Sequence, residues 1–272
     1  MGTAQLQGGL WAERAYYWAT LMERNQLPFF ETVLMKLALD STTALLDIAC
    51  GTGQFVQMAA LHGAQVSGID ASAASIEIAR QRVPSGNFAI GEMEELPYAD
   101  HSFDAVTGFN AFQYAAIPAH ALQEARRVTK PGGKVAMVVW GKPQDCETDV
   151  TLKALGTLLP PPPPGAPAPL ALSEPGVVEG LLHQVGLRLI ETGEVDCPYE
   201  YPDEEIAFKS IGAAGPAVRA MHAAGEDRVR EVILQSLIPY KRSAGGYLQK
   251  NKFRYFLTLA CAPFVEIGRA HV

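Results

Sequence analysis

The sequence predicts an α/β fold, a mostly parallel sheet with helices on both faces. Three observations carry this. Apolar strand-like runs alternate with helix-length amphipathic segments from residue 44 to residue 140. Glycine, aspartate or Pro-Gly-Gly punctuates the ends of those runs, as in strands that feed crossover helices. Hydrophobic residues make up 48% of the 272 and charged residues 19%, enough apolar surface to bury both faces of such a sheet.

The elements follow in order. Residues 9–38 read as helical, with Pro28 at a first-turn position of FFETVLMKLAL. ALLDIA is a strand, the glycine turn follows it, and QFVQMAALHG is a helix closed by Gly63. AQVSGID is a strand ending at Asp70. Ser72 caps SAASIEIARQRV, whose Ile76, Ala79 and Val83 share one face. NFAIG is a short strand, and EMEELPYADHS leads to the strand FDAVTGF. AHALQEARRV is a helix that stops at the turn KPGG, before the strand KVAMVVW.

The second half is less regular. Seven prolines within residues 160–169 predict a stiff surface connection. EPGVVEGLLHQVG reads as a helix ending at Gly186 and LRLIETGEVDCP as a strand. Residues 203–238 read as helical and as an insertion over the sheet's C-terminal edge. GGYLQKNKFRYFLTLA reads as one final strand. The last residues, EIGRAHV, match the translation of a common sequencing-adapter DNA, so 266–272 is expected to be a loose, non-native tail.

Composition excludes several classes. The net charge is −7 and no Lys/Arg run is present, which argues against a nucleic-acid partner. Cysteines 50, 146, 197 and 261 form no CxxC pair, so reduced thiols in a cytoplasmic protein are expected, with no metal site. No apolar run of about 18 residues and no signal peptide is visible, so no membrane association is expected.

The chemistry is concentrated in LLDIACGTGQF, residues 45–55. In an open parallel sheet, ligands bind beyond the C-terminal strand ends, where strand order reverses. Gly51 and Gly53 let a ligand lie against backbone, and the following helix presents free N–H groups. A dinucleotide fingerprint needs a third glycine where this chain has Val56, and no GK[ST] follows for a P-loop. Asp70, at the tip of the next strand, can accept both hydroxyls of a ribose. Asp47, inside an apolar strand, is costly unless hydrogen-bonded or near positive charge. A phosphate-free ligand carrying an ammonium and a sulfonium suits this surround.

DIACGTG, GIDAS, GEMEELPYADHSFDAV and LQEARRVTKPGGKV, in that order over residues 44–140, resemble the class I S-adenosylmethionine-dependent methyltransferases. The similarity is to the small-molecule group that includes ubiquinone/menaquinone-type enzymes. The resemblance implies a doubly wound, Rossmann-like sheet of seven strands with an antiparallel last strand. It implies N-terminal helices over the cofactor at 1–43, a core at 44–200, a helical cap at 201–242 and a final strand within 243–265. It places Ala49, Gly51 and Gly53 at the methionine part of the cofactor, Asp70 at the ribose and Ala71 beside the adenine; Asp47 joins the cofactor-binding residues on its own charge. Gly91-Glu92-Met93 stands where the family has a Gly-Asp-Ala-like segment, so Glu92 and Met93 would bracket the adenine with a longer reach. Asn110 and Gln113 would lie near the methionine carboxylate, and Tyr17, or its neighbours Tyr16 or Trp18, would close the pocket.

A sulfonium methyl is already activated, so the reaction mainly requires in-line positioning and exclusion of water. No residue identifies itself as a base. His222, Tyr199, Tyr201, Tyr240 and Tyr247, in or beside the cap, are the candidates to face the acceptor, with His222, Tyr199 and Tyr240 put forward for catalysis. The chain lacks the Asn-Pro-Pro-Tyr/Phe segment of nucleic-acid amino-methylating enzymes and the Pro-Cys nucleophile of cytosine enzymes. The expectation is metal-independent methyl transfer to a small apolar or aromatic acceptor. The alternatives are a nicotinamide-dependent oxidoreductase and a non-catalytic cofactor-binding module. A homodimer stays open.

Overall fold

A computed structural model describes residues 2–161 and 168–261. The expected 266–272 tail and residues 162–167 of the proline segment lie outside the described residues.

The chain opens with α1 (Ala4–Ala12) and α2 (Ala15–Tyr17). A π-helical turn, Trp18–Met22, and a 3-10 turn, Glu23–Gln26, then lead into α3 (Leu27–Leu37). The alternating core comes next: β1 (Ala44–Ile48), α4 (Gln54–Leu61), β2 (Gln65–Asp70), α5 (Ala73–Arg82), β3 (Asn87–Ile90), β4 (Phe103–Phe109), α6 (Pro118–Val128) and β5 (Thr129–Trp140). The second half holds α7 (Thr148–Gly156), α8 (Val177–Gln184), β6 (Leu187–Asp196), β7 (Tyr199–Tyr201), α9 (Glu204–Ile211), α10 (Gly215–Ala224), α11 (Glu226–Leu237), β8 (Tyr247–Gln249) and β9 (Lys252–Ala260).

Seven strands form one sheet in the order β3-β2-β1-β4-β5-β9-β6. Only β9 runs antiparallel to its neighbours, β5 and β6. Strand order reverses between β1 and β4, so a ligand crevice is expected at their C-terminal ends. Buried residues alternate between the two faces. Leu45 packs with Phe29, Phe55 and Val56 on one side, and Leu46 with Ile69, Leu122 and Val128 on the other. Ser72 caps α5 by accepting the Ser75 N–H at 3.1 Å.

Three expectations need correction. The expected final strand is two elements. Tyr247–Gln249 pairs with Tyr199–Tyr201 in a separate antiparallel ribbon, and the chain then re-enters the large sheet at Lys252. The expected KPGG turn is absorbed into the start of β5, where Gly132 takes φ +77°. Helix α7 was not anticipated. It packs against α10 and α11, so the helices above the crevice come from both sides of β6 in the chain. Among the described residues, no helix is long and apolar enough to cross a membrane.

Helix α1 lies across the same region. A Cβ on Gly8 would meet the Ala71 carbonyl oxygen at 2.3 Å, and one on Gly215 would meet Trp11 Nε1 at 2.8 Å. Both glycines therefore permit close approach, one to the β2–α5 turn and one to the cap.

Candidate active site

β1 leaves the sheet at Ile48, and the chain turns through residues 49–53 into α4. Ala49 (φ 55°), Gly51 (φ 55°) and Gly53 (φ 82°) are all left-handed. Glycine takes this conformation freely, whereas Ala49 is strained and must be held by its surroundings. The Cys50 N–H donates to the Ile69 carbonyl at 3.0 Å, and the Gly51 N–H donates to Asp70 Oδ2 at 2.9 Å. The two glycines have different tasks. A Cβ on Gly51 would project into open space, whereas one on Gly53 would meet Ala79 Cβ at 2.9 Å. Gly51 opens the turn to a cavity, and Gly53 lets α4 begin against α5.

Three carboxylates gather at this turn. Asp70 accepts the Ser72 N–H at 2.8 Å as well as the Gly51 N–H. Burial raises its pKa against the opposing effect of those N–H groups. Asp47 is 3% exposed and accepts the Thr107 hydroxyl at 2.7 Å. Burial pushes its pKa up to about 7, and the charges of Asp70 and Glu23 add to the rise. Glu23, from the 3-10 turn before α3, accepts from Arg82 at 2.7 Å and from the Thr52 hydroxyl at 2.9 Å. Burial still raises its pKa despite the guanidinium. One cation among three carboxylates leaves the turn complementary to a cationic ligand.

Asp47, Ala49, Gly51 and Asp70 line one lobe of a cavity enclosing about 1520 Å³ of empty space, its open mouth included. Ala71, Glu92, Met93 and Asn110 continue that lobe, and Thr3, Ala4 and Gln7 of the N-terminal segment cover it. The Ala4 N–H donates to Glu92 Oε2 at 2.8 Å and the Thr3 hydroxyl to the Tyr114 carbonyl at 2.6 Å. The second lobe is walled by Trp18, Phe30, Phe109, Trp140, Tyr199 and Tyr201, with contributions from α7 and α10. Among the described residues, no Lys, Arg or His lines the cavity.

Residues 46–137 match the family model described as a methyltransferase domain. Over this stretch the chain is similar to the class I S-adenosylmethionine-dependent methyltransferases. The demethylmenaquinone methyltransferase of Renibacterium salmoninarum is 38% identical over 99 residues, which are 36% of this chain and 42% of that protein. The 27-O-demethylrifamycin SV methyltransferase of Amycolatopsis mediterranei is 30% identical over 146 residues, covering 49% of this chain and 54% of the relative. This chain thus spans about half the length of these two curated relatives. The YcgJ protein of Bacillus subtilis superposes with a TM-score of 0.59 over 86% of this chain and 98% of its own, at 17% identity, and shares the fold.

Most residues singled out from sequence converge: Asp47, Ala49, Gly51, Asp70, Ala71, Glu92, Met93, Asn110 and Tyr199 all line the cavity. Others stand apart. Tyr17 lies outside the lining, set against Tyr16 and Lys209, because the π-helical turn brings the next residue, Trp18, to the cavity instead. Gly53 supports the turn from behind. Gln113 is buried beneath the site and donates to Asn110 Oδ1 at 3.1 Å, so it orients a lining residue without being one. His222 is 54% exposed and pairs with Glu13 at 2.7 Å, away from the cavity. Tyr240, in the 3-10 turn after α11, is outside the lining as well.

Sequence reasoning missed Glu23, Phe109 and Trp140 as lining residues of the cavity, whereas Tyr201, expected in or beside the cap, does line it. Phe109 and Trp140 end β4 and β5, and the rule that ligands sit at C-terminal strand ends would have flagged both. Nothing local in the sequence marks Glu23.

Proposed function

We propose that the protein transfers the methyl group of S-adenosylmethionine to a small apolar or aromatic acceptor, without a metal. The single observation that carries this reading is the continuity of one cavity, from the acidic glycine turn to a lobe of aromatic side chains. S-Adenosylmethionine supplies an activated methyl: its carbon–sulfur bond breaks as the acceptor bonds to carbon, sulfur keeps the electron pair, and the acceptor sheds its proton.

The residues at the turn suit the group. Gly51 leaves open a space that a Cβ would fill. Each Asp70 oxygen takes one backbone N–H and retains acceptor capacity for a ribose hydroxyl. Asp47 offers a carboxylate to the cationic end of the molecule. Glu92 already accepts the Ala4 N–H, so an adenine amino group would use its remaining lone pairs. Ala71 and Met93 would pack on the base, and Asn110 would face the methionine end. The aromatic lobe would hold the acceptor and exclude water, leaving the reaction to positioning, which supplies on the order of 7–11 kcal/mol.

Titration calorimetry with S-adenosylmethionine and, in parallel, with NAD tests the assignment. Binding of the sulfonium compound alone is expected. Binding of NAD with none of S-adenosylmethionine would overturn it in favour of an oxidoreductase. Transfer of label from methyl-labelled cofactor into a metabolite extract then separates catalysis from mere binding.

A further inference from the structure

The polar groups of the aromatic lobe can be accounted for one by one. The Thr148 hydroxyl donates to Gln249 Oε1 at 3.2 Å. The Thr151 hydroxyl lies 2.8 Å from the Ser236 hydroxyl and accepts from Gln249 Nε2 at 3.3 Å. The protein therefore satisfies both threonines. Tyr199 and Tyr201 differ. They are 0% and 1% exposed, and neither hydroxyl has a hydrogen-bond partner among the described residues. Gln26 bears on the Tyr199 oxygen as a donor, which leaves the Tyr199 O–H itself free to donate.

The backbone explains why two such groups occur together. Tyr199 and Tyr201 are two apart on β7, so their side chains share a face, while the intervening Glu200 is exposed. The β7–β8 pairing, Tyr199 to Gln249 and Tyr201 to Tyr247, fixes that face toward the cavity. Burial raises both phenols well above their ordinary range, so both hydroxyls stay protonated and can donate. A buried O–H without an acceptor is costly, and a ligand oxygen relieves the cost.

Charge narrows the ligand. Glu23, Asp47, Asp70 and Glu92 line the cavity, and among the described residues no Lys, Arg or His does. A carboxylated or phosphorylated acceptor would lose its hydration and meet only like charge.

We propose that Tyr199 and Tyr201 form the acceptor-recognising subsite, donating hydrogen bonds to a phenolic or carbonyl oxygen of an uncharged aromatic molecule, and that the site rejects anionic acceptors. This rests on the methyl-transfer reading for its purpose, but it concerns the acceptor lobe alone. The pair sets specificity; it is not assigned a proton-transfer role.

Three probes test it: 2-naphthol, 2-naphthoate and 2-naphthyl phosphate. Each is titrated calorimetrically into protein saturated with S-adenosylhomocysteine. The expected result is that 2-naphthol binds at least tenfold more tightly than either anion. In the variant Y199F/Y201F its affinity falls at least tenfold, while the affinity for S-adenosylhomocysteine and the melting temperature hold. The unchanged melting temperature separates lost recognition from lost folding. The proposal is overturned if 2-naphthol does not bind, if an anion binds as tightly, or if the double variant binds 2-naphthol like the parent. Failure of the parent protein to bind S-adenosylhomocysteine would count against the methyl-transfer reading instead. The naphthol series is then read on the protein alone, by the same criteria.

Discussion

The Gly51 N–H donates to the Asp70 carboxylate at 2.9 Å, which joins the glycine turn of β1 to the tip of β2 as one hydrogen-bonded unit. Removing the carboxylate therefore does two things: it deletes the acceptor proposed for a ribose, and it frees the turn. Asp70→Ala is expected to weaken S-adenosylmethionine binding by about 1.5–3 kcal/mol and to lower stability by about 1–3 kcal/mol, since the Gly51 and Ser72 N–H groups lose their partner. Calorimetry and thermal melting measure the two losses. An unchanged dissociation constant removes Asp70 from the site.

The two glycines of the turn should respond differently to alanine. Gly53→Ala places a Cβ 2.9 Å from Ala79 Cβ at φ 82°, so a stability loss of roughly 1–3 kcal/mol is expected. Gly51→Ala meets no protein atom within 4 Å, so it should fold with only the backbone cost of about 1 kcal/mol. Its methyl nonetheless enters the space proposed for the cofactor, and binding should fall steeply. Melting curves and binding isotherms of both variants decide. Equal behaviour of the two would show that the turn has no ligand-facing side.

Asp47 predicts a pH dependence. Its carboxyl titrates at about 7 in the fold, chiefly through burial, while an unfolded aspartate titrates near 4. Between these values the folded form binds more protons than the unfolded form. Stability therefore falls as pH rises through this window, by up to about 1.4 kcal/mol per unit from this group, and levels off above it. The raised Asp70 and Glu23 push in the same direction. Asp47→Asn should flatten the trend in denaturant melts taken from pH 4.5 to 8.

The same group should couple cofactor binding to a proton. A sulfonium or ammonium beside Asp47 favours its ionised form, so binding should release a proton below pH 7 and weaken up to tenfold for each unit of further acidification. Calorimetry in buffers of different ionisation enthalpy counts the proton. An affinity that is flat from pH 5.5 to 8 would falsify this role for Asp47.

Arg82 is the single cation bonded to the buried Glu23, at 2.7 Å. Arg82→Met leaves that carboxylate uncompensated, and a loss of about 3–5 kcal/mol is expected. Adding Glu23→Gln to Arg82→Met should recover much of it. A double variant no more stable than Arg82→Met would mean that the arginine acts through packing rather than charge.

The sequence by itself determined the alternating core, the open glycine turn and the carboxylate at the end of β2. These are local properties: hydrophobic period, a residue type that tolerates left-handed backbone, and a short spacing along one chain segment. It also carried the apolar character expected of the acceptor. Tertiary structure alone decided which groups line the cavity. Whether Tyr17 or Trp18 points inward depends on a π-helical turn that no residue pattern announces. Tyr199 and Tyr201 face the cavity because a three-residue strand pairs with another nearly fifty residues later, too short a run to show a period of its own. Glu23 and Arg82 meet across 59 residues. The proton on Asp47 is likewise a property of the packed state, since burial, the Thr107 hydroxyl and two distant carboxylates set it together and none of them is its neighbour in the chain.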